Sequence, residues 1–374
     1  MRKPSNPFVL SGYHSPIYFC DREEELVWLI EQIHNERNMV LLSWRRMGKT
    51  SLVSHLFHHL EKEKKADGIL VDLLGTSTME EANKRIASAI VHRFGDLKNG
   101  LAPALLKLLG SIGATIGIDP MNGMPQVTFS MSNSGQSIPG SLEALGRFLE
   151  SRKKPVVICL DEFQQITNYS NANAEAIFRS WMQDFPMIRF IFSGSHRHMM
   201  MSMFSTESRP FYRSVQIKPL EPLIAEKYAP FIQSFFTKAN KKLDGALLDK
   251  IFEWTKMQTY YVQLVCNKLF AKAEQINNDM LGEVFNEIIA QEVPVFSNYQ
   301  QLFTNFQWKL LIALAKTEET ENPLSKKFLS QFDLGAASSV SSALKTLIKT
   351  EFVIYENNKY MLHDTLLMRW LQQL

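Results

Sequence analysis

Cysteine is scarce in this chain of 374 residues: Cys20, Cys159 and Cys266 stand far apart, with no C-x-x-C pair. So odd and scattered a set excludes a disulfide framework and fits a reducing compartment. Excess charge is lacking too. Lys and Arg number 41 against 38 Asp and Glu, a net charge of +3, too little to imply nucleic acid or an anionic membrane. There is no internal repeat or low-complexity tract, and no long uninterrupted apolar run. The amino-terminal MRKPSNPFVLSGYHSPIYF lacks the apolar core of a signal peptide. The longest apolar stretch, LAPALLKLLGSIGATIGI, is broken by Lys107 and several glycines, which favours a helix and a buried strand over a membrane span. A cytoplasmic protein without membrane attachment is expected. What remains is ordinary globular composition, 45% hydrophobic and 21% charged, with room for two or three domains.

Within that background, LLSWRRMGKTSLVSHLF (residues 41–57) meets the phosphate-loop pattern G-x-x-x-x-G-K-[ST] in all but its first glycine, where Ser43 stands. Such a loop works between a buried strand and a helix, where backbone N–H groups and the helix N-terminus face phosphate. NMVLLS supplies a short β-type run, and Leu52, Val53, Leu56 and Leu60 follow at helical spacing. The candidate nucleotide-binding residues are Ser43, Trp44, Arg45, Arg46, Met47, Gly48, Lys49, Thr50 and Ser51. Gly48 sits where backbone approaches phosphate closely, Lys49 reaches the β and γ oxygens, and Thr50 holds Mg²⁺. Ser43 occupies the strand exit, where a small residue suffices.

Two further strands complete the pattern. KPVVICLDEFQQI runs apolar from Val156 to Leu160 and ends in Asp161-Glu162, as a central parallel strand covered on both faces does. Acids at the carboxyl end of a strand neighbouring the loop lie where open α/β sheets bind ligands. Asp161 is expected to ligate Mg²⁺ through water, and Glu162 to polarise the attacking water. MIRFIFSGSHRHMM is again a buried strand with a polar tip. Either Ser193 or Ser195 suits a bond to the γ-phosphate or the lytic water, with Ser195 preferred. His196 and His198 have no carboxylate or cysteine at ligand spacing, so they read as loop histidines, not a metal pair.

The segments CDREEELVWL, SWRRMGKTSL, VVICLDEFQQI, FIFSGS, PFYRSVQIKPL and YMLHDTLLMRWL, in that order and across nearly the whole chain, resemble the prokaryotic and archaeal ATPase family of the STAND class, relatives of AAA+ proteins. The resemblance implies a parallel-sheet α/β P-loop core, an all-α lid and a C-terminal winged helix. It also implies that Phe19 and Arg22 lie near the adenine and that Arg213, in PFYRS, approaches the phosphates. Two departures stand out. Ser43 replaces the usual glycine, and KMQTYYVQLV replaces the family's glycine-proline lid signature.

The organisation expected is a core over residues 1–215, a helical lid over 216–295 and a winged helix over 296–374. In the core, GILVDLLGTSTMEEANKRIASAIVHRF reads as strand, turn and helix, with caps among Thr76 to Thr78. ATIGIDPMNGMPQVTFSM reads as a hairpin turning at Pro120-Met121-Asn122-Gly123, SNSGQSIPGS as a loop and LEALGRFLESRKK as a helix. From KPLEPLIAEKYAPFIQSFF onward the pattern is helical without strands. The last part reads as three helices and a hairpin through Glu356-Asn357-Asn358, with SSVSSALKTLIK as the helix that enters the DNA groove in DNA-binding examples. Residues 300–374 carry eight Lys and Arg against seven acids, which favours protein contact or self-association over strong DNA binding. The function expected is an ATP- and Mg²⁺-dependent ATPase switch; the alternative is a DNA-binding regulator with the core as scaffold. A P-loop kinase is disfavoured, because the Asp-Glu doublet suits water activation.

Overall fold

The computed structural model describes residues 3–95, 107–110, 114–118, 125–129, 138–170, 173–272 and 275–374. They divide into two compact units, Gly12–Glu221 and Met1–Ser11 with Pro222–Leu374.

The first unit is built on five parallel strands: β1 (Met39–Leu42), β2 (Asp67–Asp72), β5 (Val156–Asp161), β6 (Ile188–Gly194) and β7 (Gln216–Pro219). Their order is β2-β5-β6-β1-β7. Strands β1, β5 and β6 are buried along their whole length, because alternate side chains face opposite layers. Val40, Leu42, Val156, Ile158 and Leu160 join one cluster with α3 (Met79–Phe94), α4 (Ile138–Glu150) and α5 (Ala174–Asp184). Met39, Leu41, Val157 and Cys159 join the other, with α1 (Glu23–His34) and α2 (Lys49–Lys62). Burial pushes the Cys159 thiol well above its usual range, helped by the Asp161 charge. The cap of α3 is Thr78, whose hydroxyl accepts from the Glu81 N–H at 3.2 Å, while Glu81 accepts from the Ser77 N–H at 2.6 Å, a reciprocal pairing that satisfies two orphan donors. The hairpin is present as antiparallel β3 (Ala114–Ile118) and β4 (Pro125–Phe129); its turn at 120–123 lies outside the described residues.

Three expectations change. The acidic strand β5 is not adjacent to β1, since β6 pairs with both. Residues 216–219 are not lid but the edge strand β7, parallel to β1 with Gln216 opposite Met39, so the sheet continues past residue 215. Ile138 to Ser141, assigned to a loop, form the first turn of α4; the preceding residues 131–137 lie outside the described set. The unit also contains α6 (Arg197–Ser205), which follows β6.

The second unit starts with a segment far away in sequence. Phe8 is 1% exposed and packs on Phe235, Phe236 and Phe270 at ring distances of 5.4 to 5.8 Å. Asn6 donates to the Asn267 carbonyl at 2.9 Å, and Asn267 donates back to the Phe8 carbonyl at 2.8 Å. These partners lie on α7 (Ala225–Lys238) and α9 (Thr259–Lys272), which pack with α8 (Gly245–Thr255) and the long α10 (Asn278–Gln301). Helix α10 crosses residue 295 without a break.

Beyond it come α11 (Asn305–Thr317), β8 (Glu319–Thr320), α12 (Lys326–Gln331), α13 (Ala337–Lys349), β9 (Val353–Glu356), β10 (Lys359–Leu362) and α14 (Thr365–Leu371). The three helices and hairpin are as expected; β8 adds a third strand beside β10. The two-residue turn Asn357-Asn358, φ 50° and 63°, has the left-handed backbone that closes tight hairpins. The helical and winged parts are joined by polar contacts. Tyr261, fully buried, donates to Asp364 at 2.8 Å, and Arg369 donates to the Trp254 carbonyl at 3.0 Å. Glu318 accepts from Lys256, Arg369 and Gln372. Burial alone would raise the Glu318 carboxyl, but these donors outweigh it and hold the pKa at about 2. No helix among the described residues is long and apolar enough to cross a membrane.

Candidate functional site

The site forms at the carboxyl ends of β1, β5 and β6. After Leu42 the chain turns through residues 43–48 and enters α2 at Lys49. Gly48 takes φ +86° and Arg46 φ +67°, while Ser43 does not adopt a positive φ. The sharp turn therefore falls at the second glycine of the pattern, not the first. This is why a serine is compatible with the strand exit. The first intrahelical bond runs from Leu52 N to Gly48 O at 2.9 Å. It leaves the N–H groups of the opening turn of a 14-residue helix as a positive, hydrogen-bonding end.

Lys49 is 5% exposed. Its ammonium donates to Ser43 Oγ at 3.1 Å, Trp44 O at 3.3 Å and Ser43 O at 3.4 Å, and it has no ion pair among the described residues. Burial lowers its pKa, opposed by the Glu162 and Asp161 carboxylates and assisted by Arg45. A buried cation held only by neutral oxygens is matched to an incoming anion. Ser43 is fully buried and its hydroxyl also donates to Trp44 O at 2.9 Å, so it orients the lysine.

Across β6, Thr50 Oγ1 donates to Asp161 Oδ2 at 2.6 Å, joining residues far apart in sequence. A hydroxyl and a carboxylate are hard oxygen donors of the kind Mg²⁺ takes alongside phosphate and water, so the donor set fits that ion. Glu162 follows in the left-handed region, φ 51° and ψ 40°. Its Oε2 accepts from Ser195 Oγ at 2.8 Å and from Gln164 Nε2. Strand β6, lying between β1 and β5, is what delivers Ser195 to Glu162. The other serine, Ser193, is buried with no hydrogen-bond partner for its hydroxyl among the described residues.

The other candidates divide. Trp44 and Met47 are buried and Arg45 and Arg46 exposed, with Ser51 between. The Trp44 ring lies 5.8 Å from the Arg197 guanidinium and 6.0 Å from the His198 ring, so toward the lysine it presents its carbonyl. Phe19 stacks on His55 of α2, centroids 4.3 Å apart and planes at 14°. Tyr13 bonds His55 Nδ1 at 2.8 Å, and burial raises the tyrosine to about 12. Burial, with His58 and His59 nearby, lowers the His55 pKa. Arg22 is buried, donates to Glu25 at 2.7 Å and leaves Nη2 without a partner among the described residues. Arg213 is exposed, takes φ 51° and lies 5.1 Å over the Tyr212 ring. Among the described residues its guanidinium makes no hydrogen bond or ion pair, so it is not gathered with Lys49, Asp161, Glu162 and Ser195. No group of three His, Cys, Asp or Glu among the described residues is placed to hold a metal, His196 and His198 included.

Comparison with known proteins bears on this geometry. The Walker-type ATPase Paby2304 of Pyrococcus abyssi superposes with a TM-score of 0.69 at 17% identity, covering 98% of this chain and 99% of that one. The ORC2 protein of Aeropyrum pernix, in ADPNP-ADP complexes, gives 0.59 at 13%, covering 99% and 97%. The ORC1 protein of Aeropyrum pernix, in complex with DNA, gives 0.53 at 13%, covering 99% and 96%. The chain has the fold of an archaeal Walker-type ATPase. Residues 294–373 also match the family described as "Probable winged helix domain". No curated protein matches the chain. On this Walker-type fold, sequence reasoning missed two residues that complete the contacts above. Gln164 has no chemistry of its own to advertise it, and His55 reads only as one helical position among several. Gln164 stands two residues from Glu162, so that contact is local; its approach to Ser195, and that of His55 to Phe19, are products of folding.

Proposed function

We propose that the protein binds ATP with Mg²⁺ and hydrolyses it, acting as a nucleotide-driven conformational switch of the STAND and AAA+ kind. The observation that carries this is the 2.6 Å bond between Thr50 of the loop helix and Asp161 of β5, beside a buried lysine with no ion pair among the described residues. Lys49 and the N–H groups opening α2 take the phosphates. Thr50 and Asp161 hold the ion, which when bound neutralises charge on the β and γ oxygens. Glu162 accepts the proton of the attacking water. The water oxygen bonds to the γ-phosphorus as the bond to the β–γ bridging oxygen breaks, giving ADP and phosphate. Ser195 holds Glu162, and Phe19 and Arg22 lie on the adenine side. Arg213 reaches nucleotide only in another conformation or from a second copy. In this scheme the helical lid responds to nucleotide, and the winged helix passes the state to a protein partner or another copy in the cytoplasm.

The test is a titration with labelled ATP and Mg²⁺ together with phosphate release. Lys49→Ala is expected to abolish measurable binding, since it removes the cation facing the phosphates. Unchanged affinity in that variant refutes the assignment.

A second reading, a DNA-binding regulator, is supported by the winged-helix match at 294–373 and by the likeness to a protein whose structure is a DNA complex. The near balance of charge over 300–374 argues against tight binding. A salt-dependent DNA-binding assay separates the two: affinity that falls steeply with salt and ignores nucleotide favours the regulator.

A further inference from the structure

Gln164 sits in the short 3₁₀ turn Phe163–Asn168 that follows the acidic doublet, and it is 2% exposed. Its amide Nε2 donates to Glu162 Oε2 and reaches Ser195 Oγ at 3.5 Å. The amide's orientation is set by chemistry, because a carboxylate offers only acceptors. The consequence is that Gln164 Oε1 is buried with no hydrogen-bond partner among the described residues. An orphaned buried carbonyl is unfavourable, and native proteins keep such groups where they serve a purpose. The backbone makes room for it. A Cβ on Gly194 would collide with Gln164 Oε1 and with the Met200 side chain, so the glycine ending β6 leaves space for this amide. Glu162 Oε1, by contrast, has no hydrogen bond among the described residues.

We propose that Gln164 is a positioning residue acting through Glu162: with Ser195 it pins one carboxylate oxygen so that the other is turned to the attacking water. This rests on the ATPase function proposed above. It deepens that function by dividing the work at Glu162 between a held oxygen and a free one. It also explains why a buried amide with an unmet acceptor stands beside the Glu162 carboxylate.

The experiment is steady-state ATP hydrolysis by the full chain, Gln164→Leu, Glu162→Gln and the double variant, with thermal melting of each. Gln164→Leu is expected to lower kcat about 10- to 100-fold, as misplacing a reacting group does, to leave KM within about twofold, and to melt at or above the unaltered temperature. In the Glu162→Gln background, removing Gln164 is expected to cost nothing further, because its route of action is already gone. Should Gln164→Leu fail to fold, Gln164→Glu keeps the shape and replaces the donor by an acceptor, with the same loss of kcat expected. A folded Gln164 variant that keeps kcat overturns the inference, as does a loss that multiplies with that of Glu162→Gln or is accompanied by a rise in KM. No phosphate release from the unaltered chain overturns the ATPase function and this inference together. Release that survives both Gln164 variants overturns this inference alone.

Discussion

Gly48 and Ser43 bracket the loop, and exchanging their residue types separates stability from affinity. Alanine at 48 must keep φ near +86°, which costs a non-glycine residue roughly 1–2 kcal/mol. A stiffer unfolded chain returns about 0.4–1 kcal/mol. The new Cβ meets nothing within 4 Å, so no clash adds to the difference, and Gly48→Ala is expected to cost about 1 kcal/mol of stability. The same open space is where phosphate must come close. Losing one charge-assisted hydrogen bond there, roughly 1.5–3 kcal/mol, means about a 10- to 100-fold fall in ATP affinity. Ser43→Gly does the reverse. It deletes a buried hydroxyl that donates to Trp44 O at 2.9 Å and accepts from Lys49 at 3.1 Å. At about 1 kcal/mol for each bond, plus roughly 0.5 kcal/mol for glycine's freedom, stability falls by about 2–3 kcal/mol. Affinity stays within a few-fold, because Lys49 is still held by the Ser43 and Trp44 carbonyls when the hydroxyl is gone. Urea denaturation and titration with labelled ATP read the two quantities separately. Crippled binding in Ser43→Gly with intact binding in Gly48→Ala would refute the reasoning.

Glu162→Gln keeps shape and loses basicity, so binding should persist while phosphate release slows about 10²- to 10⁴-fold; a wild-type rate removes Glu162 from the water-activating role. Phe8→Ala empties a site lined by three phenylalanines and should cost about 3–5 kcal/mol; a loss below about 1 kcal/mol in a urea melt would show that the segment does not stay docked. Glu318 has its folded pKa depressed from 4.5 to about 2. Its contribution is therefore present above pH 4.5 and lost as pH falls toward 2. The stability gap between the unaltered protein and Glu318→Gln should be full at neutral pH and narrow over that interval; a gap independent of pH would show that the charge carries none of it.

Local pattern alone determined a good deal. The runs at Met39–Leu42, Val156–Leu160 and Ile188–Phe192 lie in strands because a strand covered on both faces is nearly continuously apolar, whichever strand lies beside it; Arg189, 5% exposed, is the exception within them. Gly48, Lys49 and Thr50 are legible together because loop, cation and hydroxyl are consecutive. Asn357-Asn358 is legible because a two-residue turn needs a left-handed backbone that asparagine tolerates. What these runs cannot carry is adjacency. Nothing in the sequence near Asp161 says that β6 separates it from β1, and nothing near Gln216 says that a short, partly exposed stretch completes the sheet. The same holds for Phe8, whose burial depends on α7 and α9 more than two hundred residues later, and for Gln164, whose approach to Ser195 follows from how β5 and β6 align. Periodicity records which faces of an element avoid water. Which element covers them is chosen by the packing of the whole chain, and only the tertiary structure decided it.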